Sequence, residues 1–393
     1  MTPVSDTLSF ENTQIAFSYK SNNELRRSNL IFTFINSNRF VQFGGWITPI
    51  LLKLRMPITG IIRATVFKQF CAGESLEQSA ATINKLARYE VGTILDYGVE
   101  AKETDEEFEK AVREFIRAIE FAKRNSHVPF ISVKITGLAR FALLEKLNEN
   151  KKLEENEIQE WQKVMNRLHR ICKAANDGGI GVMLDAEETW IQKPLDEVAT
   201  EMMKFYNRHR ATVFNTFQLY RTDRLEYLQE MHAYSRKEKF VLGIKLVRGA
   251  YMEKERERAE KMGYVSPIQP NKESCDDDFN KAVEYCLNNI ESLSVCVASH
   301  NEKSNLIATE LVDKIGINHN HQNLHFSQLY GMSDNLTFNL ADAGFNVSKY
   351  IPYGPVRDVV PYLLRRAKEN TSVAGQTGRE LALIKKEMKR RVI

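Results

Sequence analysis

Two adjacent arginines, Arg365 and Arg366, lie late in the stretch KYIPYGPVRDVVPYLLRRAKEN (349–370), whose pattern is otherwise mostly apolar and helical. Neighbouring positions on a helix point about 100° apart, so the two side chains cannot both follow one apolar stripe. A guanidinium group matches a carboxylate or a phosphate through two parallel hydrogen bonds. The pair is therefore either part of a solvated basic face or a clamp for a small anion.

The elements that would position such a clamp form a regular alternation along the chain. Short apolar, β-branched runs alternate with longer amphipathic stretches that have the periodicity of helices. The eight runs are 92–98, 129–136, 180–187, 212–220, 240–247, 293–299, 323–329 and 346–352. This alternation predicts a TIM-like (βα)8 barrel of the α/β class. A doubly wound open sheet is the main alternative, but no GxGxxG motif follows the first strand.

The chain of 393 residues is long enough for one large barrel, and its hydrophobic fraction of 43% allows a sizeable core. We predict that residues 1–88 form a helical segment that packs on the barrel. Residues 89–375 are expected to form the barrel itself, with its final helix over the mouth. Residues 376–393 are expected to form a basic C-terminal helix.

Composition argues against several classes of protein. The net charge of +4 is weak, and the basic residues form short clusters, which disfavours nucleic acid binding. The five cysteines lie far apart without a CxxC pair, as in a reduced intracellular protein with structural thiols. The apolar stretch 29–56 is broken by polar residues at 36–39, so it predicts buried helices rather than a membrane span or a membrane-surface segment. No signal peptide and no arginine-rich transit peptide is visible, so we expect the bacterial cytoplasm rather than the mitochondrial matrix.

A barrel of this kind carries its catalytic residues at the C-terminal ends of its strands. The polar residues at or after the predicted strand ends are Asp96, Glu100, Lys134, Asp185, Gln218, Tyr220, Lys245, Arg248, Ser299, His300, Asn301 and Tyr350. Any one of them is equally well explained by contact with solvent, but together they predict a functional site. Placing Lys134, Lys245 and Arg248 with the arginine pair in a partly desolvated mouth is costly unless an anion binds there. We therefore expect anionic ligands, and two rather than one.

Several segments resemble motifs of the proline dehydrogenase family, the FAD-dependent enzymes of proline catabolism. The resemblance is carried by IKLVRGAYMEKE, ASHNE, FSQLYGM and KYIPYGP…PYLLRRAKEN, and LDYGVE, ISVKITGL and LDAEET fit the same family in the same order. It runs from about residue 70 to residue 375 and is to the monofunctional type. The resemblance implies a barrel that binds FAD without a GxGxxG motif. It also implies oxidation of L-proline to pyrroline-5-carboxylate by hydride transfer from C5 to flavin N5, with quinone as electron acceptor.

The resemblance also implies roles for individual residues. The implied catalytic residues are Asp185, Lys245 and Tyr350. The residues implied to hold the substrate carboxylate and the pyrrolidine ring are Lys134, Leu329, Tyr350, Tyr362, Arg365 and Arg366. The implied flavin-binding residues are Ala186, Gln218, Arg248, Gly249, Ala250, Tyr251, Ser299, His300 and Asn301. We further hypothesise that Glu100 pairs with Arg366 as a gate that closes over the substrate.

One motif departs from the pattern of the bifunctional relatives, which read RLVKGAY where this chain reads KLVRGAY. Lysine and arginine have thus exchanged places at positions 245 and 248. Because lysine offers a point charge and arginine a flat fork, we expect the contacts near flavin N5 to differ in this branch.

The helix that carries the arginine pair is expected to have two faces. Tyr362, Arg365, Arg366 and Glu369 share one broad face, with Glu369 able to orient Arg365. The apolar side that packs on the barrel consists of Val356, Val360, Leu363 and Ala367. Pro361 is expected to kink the helix near its start. The arginines are therefore expected to face the mouth of the barrel and to form the clamp.

Other interpretations remain open beside L-proline oxidation. A hydroxyproline dehydrogenase would share the clamp, but the phenol of Tyr350 leaves little room for a 4-hydroxyl group. A non-redox barrel that binds anionic metabolites is the rival from another class. The histidines of NHNHQNLH (318–325) lack an accompanying carboxylate or cysteine, so no metal is expected. The segment KKEMKRR (385–391) either contacts an anionic membrane surface or forms a solvated helix.

Overall fold

The computed structural model describes residues 8–35, 59–98, 102–372 and 376–393. Eight strands close into a barrel in the order β1 to β8. The strands are Gly92–Tyr97 (β1), Phe130–Val133 (β2), Gly181–Leu184 (β3), Val213–Gln218 (β4), Leu242–Val247 (β5), Leu293–Ala298 (β6), Leu324–Leu329 (β7) and Val347–Tyr353 (β8). Each strand starts within two residues of its predicted position. The predicted barrel is confirmed, and the open-sheet alternative is wrong.

The strands are largely buried because both of their faces are covered. Every residue of β4 and of β8 is buried, including polar side chains. In a barrel the inner face packs on other strands and the outer face packs on helices, so a buried strand shows no regular polar alternation. This is why short, mainly apolar runs predicted the sheet.

The helices lie before, between and after the strands. Those before β1 are Thr13–Ala16 (α1), Asn22–Ile35 (α2), Thr59–Ile62 (α3), Lys68–Phe70 (α4) and Leu76–Ala87 (α5), with a π-helical turn at Arg63–Phe67. Those between strands are Asp105–Lys123 (α6), Phe141–Asn148 (α7), Glu155–Gly178 (α8), Thr189–Tyr206 (α9), Arg224–Glu238 (α10), Met252–Met262 (α11), Lys272–Asn288 (α12), Glu302–Ile315 (α13) and Asp334–Asp342 (α14), with a 3-10 turn at Ile135–Gly137. Two helices follow β8, namely Val356–Ser372 (α15) and Gln376–Arg390 (α16).

Local sequence signals set several helix ends. Helix α6 begins after a capping box, in which the Thr104 side chain accepts a hydrogen bond from Glu107 N and the Glu107 side chain accepts one from Thr104 N. Helix α8 ends at Gly179, whose φ of 75° is in the left-handed region that glycine adopts without strain. Strand β3 begins two residues later, so this cap sets the point at which the chain turns from α8 into the strand that precedes Asp185.

One compact unit comprises the described residues of 1–98 and 328–393. Its core contains apolar side chains from α2, α4, α15 and α16, including Phe32, Phe70, Val356, Val360, Leu363 and Ile384. The apolar side of α15 therefore packs with the N-terminal and C-terminal helices. Helix α15 continues through Pro361. The side chains of residues 367–377 lie outside the described part, so the roles expected for Ala367 and Glu369 stay predictions.

The second compact unit comprises the described residues of 99–327. Buried Asp196 on α9 connects three elements of this unit, since its carboxylate accepts hydrogen bonds from Gln192, Asn215 and Arg224. Asn215 belongs to β4, so the network attaches the strand that ends in Gln218 to the helices on its outer side. Buried polar groups that are fully paired in this way hold elements in one arrangement.

Across the described residues, no helix has the length and apolar character that a membrane crossing requires. All five cysteines are buried and none forms a disulfide. Burial raises the pKa of the Cys172 thiol to about 12, so it stays protonated at neutral pH. The proposed division at residues 88 and 375 stays a prediction.

Candidate active site

The centre of the candidate site is the carboxylate of Asp185, which directly follows β3. Its Oδ1 accepts a hydrogen bond from Lys245 Nζ (2.7 Å) in β5, and its Oδ2 accepts one from Lys134 Nζ (3.2 Å), which follows β2. Because the carboxyl ends of parallel strands meet at one edge, three separate chain segments deliver these groups to one place. Asp185 and Lys245 are only 7% and 6% exposed. The structure thus brings together three residues that the sequence predicted for the site.

Asp185 lies between two ammonium groups in a largely buried place. Two lysine side chains that end at one point are suited to attract a small anionic ligand. The hydrogen bonds to Asp185 hold both lysine side chains at that point.

A second group of polar contacts lies beside Asp185. The Glu187 carboxylate accepts hydrogen bonds from Thr136 N (3.2 Å) and Thr136 Oγ1 (2.7 Å). Its backbone oxygen accepts one from Gln218 Nε2 (3.1 Å), at the end of β4. The other amide atom, Gln218 Oε1, is buried and has no hydrogen-bond partner among the described residues. An unsatisfied buried acceptor is costly, so this oxygen is suited to an N–H donor of a bound group.

Arg248, which follows β5, is held by three acceptors. Its Nε donates to Asp276 (2.7 Å), its Nη1 to Ser299 Oγ (2.7 Å) and its Nη2 to Ser304 Oγ (2.8 Å). The guanidinium carbon also lies 4.3 Å from the centre of the Phe279 ring. All three contacts use the fork of arginine, and a lysine could not make them together. At the other exchanged position, Lys245 uses its point charge on Asp185.

The predicted flavin-binding segments are the two loops that follow β5 and β6. Gly249 has a φ of 136°, and a Cβ atom there would lie 2.4 Å from the Tyr220 ring, so the position requires glycine. Helix α11 begins just after Tyr251, and Asn301 caps α13 by accepting a hydrogen bond from Ser304 N (3.0 Å). Ala250 and His300 lie in the same two loops, and Ala186 directly follows Asp185. Both loops therefore present helix N-termini, where backbone N–H groups favour anionic ligands.

The remaining predicted residues belong to the other compact unit. Leu329 is the last residue of β7, and Tyr350 lies buried in β8 with its carbonyl oxygen 2.9 Å from Tyr330 N. On α15, Arg366 is 8% exposed, and its guanidinium carbon lies 5.2 Å from the centre of the Tyr362 ring. Arg366 is therefore not part of a solvated basic face. Arg365 is half-buried on the same helix.

The roles assigned to the predicted site residues all remain predictions. Glu100 lies outside the described residues, so its gate with Arg366 is not described. The assignment of the Asp185 cluster and the α15 arginines to one substrate rests on the sequence resemblance.

The three histidines of 318–325 have other partners. His319 Nε2 lies 2.8 Å from Asp313 Oδ1, and His321 Nε2 lies 3.7 Å from Glu291. His325 is in β7, where burial lowers its pKa to about 3 and its ring meets Phe130 edge-on. Across the ranges that the structure describes, no three His, Cys, Asp or Glu side chains are grouped as a metal site would require.

Sequence reasoning missed the residues that hold the predicted ones in place. Asp276 and Ser304 lie 28 and 56 positions after Arg248 and in separate helices, so no spacing pattern relates them. Thr136 was inside a predicted strand, and its pairing with Glu187 joins segments 51 positions apart. A weak signal was available at Asn301, because Asn directly before a helical run is typical of an N-cap.

A closed (βα)8 barrel with buried charges gathered at its strand ends is the architecture of a barrel enzyme. The sequence matches the proline dehydrogenase family over residues 79–379. The chain belongs to the proline dehydrogenase family, so the predicted family and the predicted class of oxidoreductase are confirmed.

Named relatives agree with this membership. The chain is 31% identical over 385 residues to "Proline dehydrogenase 1, mitochondrial" of Dictyostelium discoideum, which covers 87% of this chain and 67% of that protein. It is 30% identical over 413 residues to a hydroxyproline dehydrogenase of Xenopus laevis, covering 96% of this chain and 89% of that protein.

Solved structures show the same fold. The structure of proline utilization A (PutA) from Bdellovibrio bacteriovorus, inactivated by N-propargylglycine, superposes with a TM-score of 0.71 at 22% identity. The match covers 94% of this chain and 37% of that protein, so this chain spans little more than a third of PutA.

Proposed function

We propose that this protein uses bound FAD to oxidise L-proline to pyrroline-5-carboxylate, as the first step of proline catabolism. Membership of the proline dehydrogenase family supports proline as the substrate. The observation that carries the proposal is the Asp185 cluster, in which Lys134 and Lys245 share one buried carboxylate. The two lysine side chains of this cluster suit the carboxylate of an amino acid.

The residues after β4, β5 and β6 fit a flavin cofactor. Gln218 Oε1 offers a buried acceptor to the N–H group on the pyrimidine edge of a flavin. Arg248 and the helix N-termini beside Tyr251 and Asn301 offer positive charge and N–H donors to the phosphates of FAD. When bound, FAD would supply the acceptor that takes a hydride from C5 of proline at N5.

The side chains of this protein would then bind and orient the substrate. Lys134, Arg365 and Arg366 would hold its carboxylate, and Tyr350, Tyr362 and Leu329 would enclose its ring. Most of the acceleration of a hydride transfer comes from holding the donor carbon in the correct place and direction. In this proposal Asp185 fixes the two lysines, and Lys245 and Tyr350 contact the reacting partners.

Proline reacts only when its nitrogen is neutral, because the lone pair must assist hydride loss. The nearby positive charges of Lys134 and Lys245 would lower the pKa of the bound ammonium group and favour loss of its proton. The value of kcat/KM should therefore rise with pH between about 6 and 10. A flat profile over this range would contradict the proton loss.

Further parts of the proposal concern the surroundings of the enzyme. We propose a quinone as electron acceptor and a bacterial cytoplasmic location, with peripheral contact to the inner face of the membrane. The basic helix α16, within the proposed segment 376–393, is the surface suggested for that contact. Closure of the site by Glu100 and Arg366 belongs to the same proposal.

A visible absorption spectrum tests the central proposal. The purified protein should be yellow, and its flavin bands should bleach when L-proline is added without oxygen and return when a quinone follows. Lys245→Met should keep the colour and lose the bleaching, whereas Lys237→Met, at an exposed position on α10, should behave as the unchanged protein. A colourless protein, or one whose bands ignore proline, would refute the proposal.

Hydroxyproline is a second candidate substrate, because one relative with 30% identity is a hydroxyproline dehydrogenase. The phenol of Tyr350 favours proline, since it would crowd a hydroxyl group on C4 of the ring. Tyr350→Ser should raise the ratio of hydroxyproline to proline turnover, measured as initial rates. If the ratio stays the same in this variant, the steric argument is wrong.

A further inference from the structure

Lys349 is a fully buried lysine that the proposed function does not use. It lies in β8 and is 0% exposed, as is Asp334 at the start of α14. Lys349 Nζ lies 3.0 Å from Asp334 Oδ1, and Lys20 Nζ lies 2.9 Å from Asp334 Oδ2. Tyr19 OH also donates a hydrogen bond to Oδ2 (2.8 Å). Two lysines therefore share one buried carboxylate here as well.

The two lysines differ in what else they bind. Lys349 Nζ donates to the carbonyl oxygen of Met332 and lies 3.5 Å from the carbonyl oxygen of Leu329. Both oxygens belong to the turn that connects β7 to α14. Lys20 instead donates to Ser28 Oγ (3.3 Å), in the N-terminal helix α2. Of the two lysines, Lys349 is thus the one whose described contacts connect the ion pair to the turn that begins at Leu329.

This turn joins two predicted substrate contacts. It begins at Leu329, and the next amide, Tyr330 N, donates to the carbonyl oxygen of Tyr350 (2.9 Å). Lys349 directly precedes Tyr350, and successive side chains of a strand point to opposite faces. The ammonium group of Lys349 is thus anchored on one face of β8, while the Tyr350 ring lies on the other.

Burying an ammonium group at this position has a desolvation cost. Burial lowers the pKa of Lys349, and the charge of Asp334 only partly opposes this effect. Buried ion pairs can often be replaced by apolar residues without loss of stability. An ammonium group, however, can bind two carbonyl oxygens and a carboxylate at once, which an apolar side chain cannot do.

We propose that Lys349 is a positioning residue, which fixes Leu329 and Tyr350 relative to each other through the turn at 329–332. The inference rests on the proposed function, because it takes these two residues as contacts of the proline ring. Lys349 itself contacts neither substrate nor cofactor.

The test compares Lys349→Met with Lys20→Met. Each variant leaves Asp334 with one lysine, so both should lower the midpoint of urea unfolding. Only Lys349→Met loses the contacts to the turn, so only this variant should raise KM for proline, by about tenfold or more, with a smaller change in kcat. Hydrogen exchange at the amides of 330–332 should also quicken in this variant and not in Lys20→Met.

A charge-balanced variant covers the case in which Lys349→Met does not fold. Lys349→Met with Asp334→Asn removes one positive and one negative charge and keeps an acceptor for Tyr19 and Lys20. It should show the same rise in KM. Equal KM values in Lys20→Met and in the Lys349 variants, with an active unchanged protein, would overturn the positioning role. An unchanged protein that does not oxidise proline would instead refute the proposed function.

Discussion

Glu380 on α16 is a buried carboxyl group that should make the stability of the protein depend on pH. Its side chain is 6% exposed, and its Oε2 accepts a hydrogen bond from Ser333 N (3.0 Å). Burial and the negative charge of Asp334 raise the pKa of Glu380 from 4.5 to about 7, although Lys20 and Lys349 oppose this shift. Glu380→Gln keeps an oxygen for the Ser333 amide and removes the titrating group.

The sign and size of the effect follow from the shift. Between pH 4.5 and 7 the carboxyl group stays protonated in the folded protein and ionises in the unfolded chain. Stability that this group contributes below pH 4.5 is therefore lost as the pH rises through about 7. A shift from 4.5 to about 7 corresponds to about 3 kcal/mol of unfolding free energy. Glu380→Gln should not show this loss.

Urea unfolding at several pH values between about 4.5 and 8, at constant ionic strength, measures the effect. The unfolding free energy of Glu380→Gln should rise relative to the unchanged protein by about 3 kcal/mol across this range. Glu387→Gln, on the same helix, is the matched control. Burial of Glu387 is outweighed by its hydrogen bonds from Arg390 and Arg391, so its pKa is lowered.

The control should differ from Glu380→Gln in sign. Glu387 contributes stability above pH 4.5 that is lost as the pH falls through its folded pKa. Glu387→Gln should therefore be destabilised across the neutral range, with a deficit that shrinks only in acid. A difference between Glu380→Gln and the unchanged protein that stays constant from pH 4.5 to 8 would refute the reasoning, because Glu380 would then not titrate with a raised pKa.

Three other changes have expected outcomes. In Gly331→Ala the new Cβ atom would lie 2.1 Å from the backbone oxygen of Gln69. Gly344→Ala is the control, because φ is also positive there but no atom lies within 4 Å of the new Cβ. Gly331→Ala should therefore unfold at a lower urea concentration than Gly344→Ala, and equal midpoints would contradict the clash. Asp185→Asn removes the carboxylate that Lys134 and Lys245 share and should lower the unfolding free energy by about 3–5 kcal/mol, together with proline turnover; unchanged stability would argue against the buried cluster. Burial lowers the pKa of His325 from 6.5 to about 3, so the unfolding free energy of the protein falls as the pH drops below 6.5. Over this range the unfolding free energy of His325→Phe should rise relative to that of the original protein by about 1.4 kcal/mol for each pH unit. Parallel pH profiles of the two proteins would show that this histidine titrates normally.

The barrel could be predicted from the sequence because its strands are buried on both faces. Each strand appears as a short, mainly apolar run, and the helices between them show their own period, so the alternation is a local property of the chain. The run at β7 was the weakest of the eight, because its apolar count is low. The structure buries its polar residues Ser327 and Gln328 and gives each a hydrogen-bond partner.

The candidate site could be predicted only in part. Lys134, Asp185 and Lys245 each end or nearly end a strand, and a barrel brings such positions to one edge. The pairing of one carboxylate with two lysines did not follow from their types, because each lysine had several possible partners. The three acceptors of Arg248 were not foreseen at all, since they lie on helices and loops far along the chain.

By itself, the sequence determined the barrel, the family and the set of polar residues that close its strands, because periodicity and short motifs are properties of contiguous residues. Only the tertiary structure decided which charges meet. Asp334 binds both Lys20 and Lys349, and the backbone N–H of its neighbour Ser333 donates a hydrogen bond to Glu380, so one buried network joins residues from both ends of the chain. The free energy of such a network depends on burial and on distances between remote segments, and neither quantity can be derived from the order of neighbouring residues.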